Sequence, residues 1–136
     1  MDKVIFENSG DVVVGRGNNI KNTYIKDCLK GTFWLDAGSK NFDVVEISNC
    51  DVSDLSITNA SGKKVVIKNS SAYVMDLRES QIEHLILENV RVFRKMKYQD
   101  TSIKNLEAKN VSFRKDIKIW KDDSNIEITP DSWFEK

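Results

Sequence analysis

Val45-Glu46-Ile47-Ser48-Asn49 returns twenty residues later as Val65-Val66-Ile67-Lys68-Asn69, and after twenty more as Leu85-Ile86-Leu87-Glu88-Asn89. A fourth copy, Leu106-Glu107-Ala108-Lys109-Asn110, follows after twenty-one. Each copy reads apolar-x-apolar-x-Asn, the period-two signature of a strand with one buried face. The first two copies carry only β-branched residues at these positions, as strands prefer. Such a strand buries one face and cannot be stable alone. Its stability requires the next copy stacked on it, about 4.8 Å away.

A second series lies halfway between these copies: Leu55-x-Ile57-x-Asn59, Met75-x-Leu77-x-Glu79, Met96-x-Tyr98-x-Asp100 and Ile117-x-Ile119. Smaller side chains alternate in the gaps, as in Cys50-x-Val52, Ala60-x-Gly62, Ser70-x-Ala72 and Ser80-x-Ile82. The finer period is therefore five, with inward positions at Ile47, Val52, Ile57, Gly62, Ile67, Ala72, Leu77, Ile82, Leu87 and Val92. One residue is inserted near Lys95 to Lys97, and the series resumes at Tyr98, Ile103, Ala108 and Phe113. The N-terminal third keeps the rhythm less strictly, through Val4-x-Phe6-x-Asn8, Val12-x-Val14, Thr23-x-Ile25-x-Asp27 and Phe33-x-Leu35. Gly10, Gly15, Gly17, Gly31 and Gly38 fall between segments, where corners need unusual backbone angles. Ile126-x-Ile128 reads as a last strand, with pairing ended by Pro130, the single proline.

These periods define an all-β chain: one parallel β-helix of about six coils, at roughly 20–22 residues per coil. Residues 1–42 form irregular N-terminal coils, 43–121 regular coils and 122–136 a C-terminal cap. Asn49, Asn69, Asn89 and Asn110 form a structural ladder at one corner, since Asn tolerates the left-handed conformation and its amides can bond along the stack. Trp133 and Phe134, just after Pro130, are assigned to a cap over the rod's end or to a dimer contact.

A five-residue step within a twenty-residue coil, over roughly Phe42 to Phe113, resembles the pentapeptide-repeat family. The family carries a large apolar residue at the repeat centre and a small one two positions before it. Here alternate faces carry Val, Leu or Met where the family prefers small residues. The resemblance implies a right-handed, roughly four-sided β-helix; a right-handed helix with fewer, longer strands per coil is the competing architecture. It also implies binding to proteins. Some members resemble duplex DNA in shape and charge, and bind DNA-handling enzymes such as type II topoisomerases. That role needs a strongly acidic face, whereas this chain has 21 basic and 21 acidic residues and no net charge.

The balance is not local. Arg91 to Lys121 holds ten basic residues against three acidic ones, while Asp43 to Glu88 holds eight acidic against four basic. In a solenoid, position in the chain is height on the rod, so charge falls in bands. Arg91, Arg94, Lys95, Lys97, Arg114, Lys115 and Lys118 are the candidate binding residues of the basic band. Phe93, Tyr98, Phe113 and Trp120 are interspersed among them, with Tyr98 and Phe113 pointing inward.

Little else carries chemistry. Cys28 and Cys50 are twenty-two apart, the step from Ile25 to Ile47, so they lie on adjacent coils. They read as two small buried thiols in place of a redox pair or half of a metal site. His84, the one histidine, points outward. Glu46, Asp51, Asp54, Asp76, Glu79, Glu83 and Glu88 all fall at outward or corner positions, as a solvated face. Gly15-Arg16-Gly17-Asn18-Asn19 lacks the Gly-Lys-Ser/Thr ending of a phosphate loop and reads as a coil corner.

The expected function is non-enzymatic: a rigid β-helix surface docks on a protein partner and inhibits or modulates it. Size and class would suit a phage-borne inhibitor of a nucleic-acid-handling or host-defence enzyme. A carbohydrate-active or fibre-type β-helix is the alternative from another class, and needs a groove with paired carboxylates and an aromatic platform. The third reading is a nucleic-acid binder through band 91–121. No cofactor, metal or membrane contact is expected, and the chain is read as a cytoplasmic monomer or homodimer. No apolar stretch reaches the length of a membrane span, and the N-terminus does not read as a signal peptide.

Overall fold

Parallel pairing at the sequence period organises the chain. In the computed structural model, which describes residues 3–14, 20–35 and 40–135, eleven strands form one sheet that winds as a parallel β-solenoid of about six turns. There is no helix among the described residues. The strands are β1 (Lys3–Glu7), β2 (Val12–Val14), β3 (Asn22–Lys26), β4 (Leu29–Leu35), β5 (Lys40–Ser48) and β6 (Asp51–Ile57). Then follow β7 (Ser61–Asp76), β8 (Gln81–Lys97), β9 (Ser102–Arg114), β10 (Lys118–Trp120) and β11 (Ser132–Phe134).

The registers follow the repeat residue by residue. Phe6 lies over Ile25, Ile25 over Ile47, Ile47 over Ile67, Ile67 over Leu87 and Leu87 over Ala108. On the opposite side Val12, Phe33, Leu55, Met75, Met96 and Ile119 form the matching column. The inward residues at five-residue steps, including Ile47, Val52, Ile57, Ile67, Ala72, Leu77, Ile82, Leu87 and Val92, make up the core. Gly62 shares this inward position beneath Phe42, where a Cβ would lie 2.2 Å from the Phe42 ring. The glycine leaves room for that ring, so a large and a small residue share one layer.

The corners are built by the repeat's polar letter. Asn8, Asp27, Asn49, Asn69, Asn89 and Asn110 all have φ between 49° and 57°. This left-handed conformation turns the chain, and Asn or Asp enters it at lower cost than other side chains. Asn89 Nδ2 donates to Asn69 Oδ1 at 2.8 Å, and Asn110 Nδ2 donates to Asn89 Oδ1 at 2.6 Å. A second left-handed corner, Asn59, Glu79, Asp100 and Asp123, stands half a coil away. Where the residue after a corner is Cys, Ser or Thr, as at Cys50, Ser70, Ser80 and Thr101, its side chain turns back on the backbone. Ser70 Oγ donates to Lys68 O at 2.7 Å, and Thr101 Oγ1 to Leu77 O at 2.6 Å.

Several expectations are corrected. The inserted residue lies at Phe93 and Arg94, where the pairing of β7 with β8 slips between Ala72↔Val92 and Val74↔Lys95. The slip sits at a corner, where an extra residue disturbs fewer ladder bonds than within a face. Ile126 to Ile128 is not a strand: the segment leaves the sheet, and Ile128 is buried against the core. Its N–H bonds the hydroxyl of buried Tyr98 at 3.0 Å. Pairing resumes after Pro130, because β11 lies on β9 with Trp133 over Phe113. Ala108 stands in an inward column yet is exposed, because no coil covers that part of β9. Gly15, Gly17, Gly38, the segment 15–19 and the side chain of Val14 lie outside the described residues.

Candidate interaction surface

The slip at Phe93 and Arg94 shapes the most unusual surface of the rod. An added residue bends a strand and re-aims its side chains. Here the Phe93 ring stands between Tyr73 (centroids 5.2 Å apart) and Phe134 (5.1 Å). The Arg91 guanidinium covers Phe134 at 4.1 Å and Phe93 at 5.4 Å, and Arg94 lies 5.6 Å from the Tyr73 ring. Around the corner, Lys97 and Lys95 lie over the Trp120 ring at 4.6 Å and 5.5 Å. Tyr73 is 48% exposed and Trp120 38%.

Register explains the crowding of charge. Lys118 is paired directly with Lys95, and Trp120 with Lys97. Like charges opposed on neighbouring strands repel. Among the described residues no carboxylate makes an ion pair with Arg91, Arg94, Lys95, Lys97 or Lys118. Cation–π contact lowers the energy of these charges without neutralising them.

Five of the seven candidate binding residues thus meet on one corner and its adjoining face. Arg114 and Lys115 are already engaged. Arg114 forks onto Asp116, with Nη2 to Oδ2 at 2.6 Å, and Lys115 pairs with Glu135 at 3.1 Å. The Arg114 hydrogen bond holds the Asp116 carboxyl below the usual range, with a further contribution from Arg94. Trp133, 47% exposed, packs edge-on against buried Phe113 at 5.9 Å, while Phe134 belongs to the cationic corner. Tyr73 was not among the sequence candidates, although Tyr73, Phe93, Arg114 and Phe134 recur at steps of 20, 21 and 20.

A separate open groove of about 550 Å³ is lined by Thr32, Trp34, Asp54, Ser56, Asp76 and Arg78, among others. Its geometry corrects the reading of Asp76 as solvated. Asp76 is buried, since Arg78 folds over it and donates to both oxygens at 2.8–3.1 Å. That carboxylate is occupied by its own neighbour. His84 is exposed.

Cys28 and Cys50 are free and buried. Each thiol donates to a backbone carbonyl two residues back, Cys28 to Lys26 at 3.4 Å and Cys50 to Ser48 at 3.2 Å. Burial, with Cys28 adjacent, pushes the Cys50 thiol up to about 11. It therefore stays protonated, the opposite of an activated nucleophile or ligand. No group of three or more His, Cys, Asp or Glu suited to a metal occurs among the described residues. Among the described residues no helix is long and apolar enough to cross a membrane.

The chain matches no known protein family, no curated protein and no solved structure.

Proposed function

We propose that this chain is a non-catalytic binding protein whose cationic–aromatic corner docks on an acidic surface of a protein partner, modulating it. The observation that carries this reading is the stacking of Lys95 on Lys118 beside Arg91, Arg94 and Lys97, with no carboxylate among the described residues paired to them. Such charge is best relieved by an anionic partner. Tyr, Trp and Arg are also the side chains that dominate interface energies, and Tyr73, Trp120, Arg91 and Arg94 supply them on one rigid edge. The guanidinium and ammonium groups lie over ring faces that a base would need for stacking, which favours protein carboxylates over nucleic acid. The buried free thiols fit a reducing, cytoplasmic setting. The five-residue step of buried inward side chains supports kinship with pentapeptide-repeat solenoids, whose surfaces also bind proteins.

The test compares the natural chain with the triple variant Arg94→Glu, Lys95→Glu, Lys97→Glu as immobilised bait, both checked for β-sheet content. The reading predicts a stoichiometric acidic protein on the natural chain, released by moderate salt and missing from the variant. Retention of nucleic acid alone by the natural chain would establish the competing interface. A protein partner held equally by both baits would place the docking surface elsewhere.

A further inference from the structure

The two ends of the rod are finished differently. At the C-terminal end Ile128 is buried beside Tyr98, and β11 adds a further level beneath β9. At the other end, among the described residues, β1 is the last strand of its side and pairs only with β3. Its inward residues Val4 and Phe6 are half-buried, whereas Thr23 and Ile25 beneath them are buried. Ile5, on the outer face, is 51% exposed. Ile20 is also half-buried against the core.

The ladder fixes which backbone groups of β1 face outward, and of these the Glu7 C=O already accepts the Ser9 hydroxyl at 3.4 Å. Asn8 N donates to Lys26 O, so Val4 and Phe6 direct their N–H and C=O, and Asn8 its N–H, toward β3. The alternation of a parallel pair then turns those of Lys3, Ile5 and Glu7 away from the rod. An unpaired edge of this kind is a template for another strand.

The letters of β1, Lys3-Val4-Ile5-Phe6-Glu7, are self-complementary when read antiparallel. With Ile5 opposite Ile5 of a second copy, Lys3 faces Glu7, Val4 faces Phe6 and Glu7 faces Lys3. This register uses the outward groups of Lys3, Ile5 and Glu7 as hydrogen-bonded pairs. It places both apolar pairs on the core side, and two opposite-charge pairs flank the centre. We infer that two copies associate head to head through β1, with an isologous two-fold axis at Ile5 that joins the two solenoids end to end. The half-buried Val4 and Phe6 of each copy are covered by those of the other. The C-terminal corners then stand at opposite ends of a double-length rod, free for a partner. This inference is independent of what the corner binds.

Sedimentation or light scattering across a wide concentration range tests it on the full chain, with circular dichroism as the check on folding. The natural chain should show a reversible monomer–dimer equilibrium. Lys3→Glu sets two carboxylates opposite each other twice per dimer, and Glu7→Lys does the same with two ammonium groups. Each alone should weaken association about tenfold or more. An equimolar mixture of the two variants should recover it as a heterodimer. Lys109→Glu, on the exposed edge at the far end, should leave the equilibrium unchanged. A chain that stays monomeric throughout, or a dimer indifferent to both β1 variants but broken by Lys109→Glu or Trp133→Ala, would overturn the inference.

Discussion

Along Asn69, Asn89 and Asn110 one asparagine per coil does two tasks at once: it takes the left-handed backbone that turns the chain, and its amide bonds the asparagine of a neighbouring coil. Asn89 is the clearest case, with φ 53°, donating to Asn69 and accepting from Asn110. Asn89→Ala should lower unfolding free energy by about 1–2 kcal/mol, through the left-handed backbone that alanine resists and the lost ladder bonds. Asn89→Gly should lower it less, because glycine keeps the backbone angle and loses only the amide. Urea denaturation of the two variants separates the contributions. The position was legible from the fixed step of twenty residues. The equivalent role of Glu79 and Asp100 was not, because their letters vary although their backbone angle does not.

Among the elements, the C-terminal segment departs furthest from the repeat. A continued strand over Ile126 to Ile128 would leave the core end open below Tyr98 and Phe113. The chain instead crosses the end and plugs it with Ile128, then returns to the sheet as β11. Tyr98 is the hinge of this arrangement, and burial pushes its hydroxyl above the usual phenol range while it accepts the Ile128 N–H. Tyr98→Phe strands that buried N–H and should destabilise the fold by about 1–3 kcal/mol, measurable as a shift in denaturation midpoint. Amide exchange over 126–134 should rise more than over the central coils in the same variant. The alternating pattern Ile126-x-Ile128 gave the right burial for Ile128 and the wrong backbone, since one buried face can belong to a strand or to a plug. The bulge at Phe93 and Arg94 shows the same division. The count required one extra residue, and only the pairing located it at the corner.

At the scale of the molecule, each coil touches only its neighbours, so stability is a sum of stacked interfaces. The central coils have neighbours above and below; β1 has one. Hydrogen exchange of the monomer should therefore be fastest at Lys3–Glu7 and slowest through Val65–Asn69 and Leu85–Asn89. Raising protein concentration into the dimer should slow exchange at Lys3, Ile5 and Glu7 in particular. Equal exchange in β1 and the central coils of the monomer would contradict a one-dimensional account of this rod. The charge bands follow the same logic: balanced composition conceals a basic corner, because height on the rod sorts residues that the sum combines.

The sequence by itself determined the solenoid, the inward columns, the asparagine corner and the height of the basic band. Each depends on a repeat period, which local alternation and stacking convert directly into position. Tertiary structure alone decided how Tyr73, Phe93 and Phe134 gather under Arg91 and Arg94, that Arg78 covers Asp76, and that Ile128 packs into the core beside Tyr98. Those outcomes depend on where one extra residue slips the register and on which strands lack a neighbour, and neither is a periodic property.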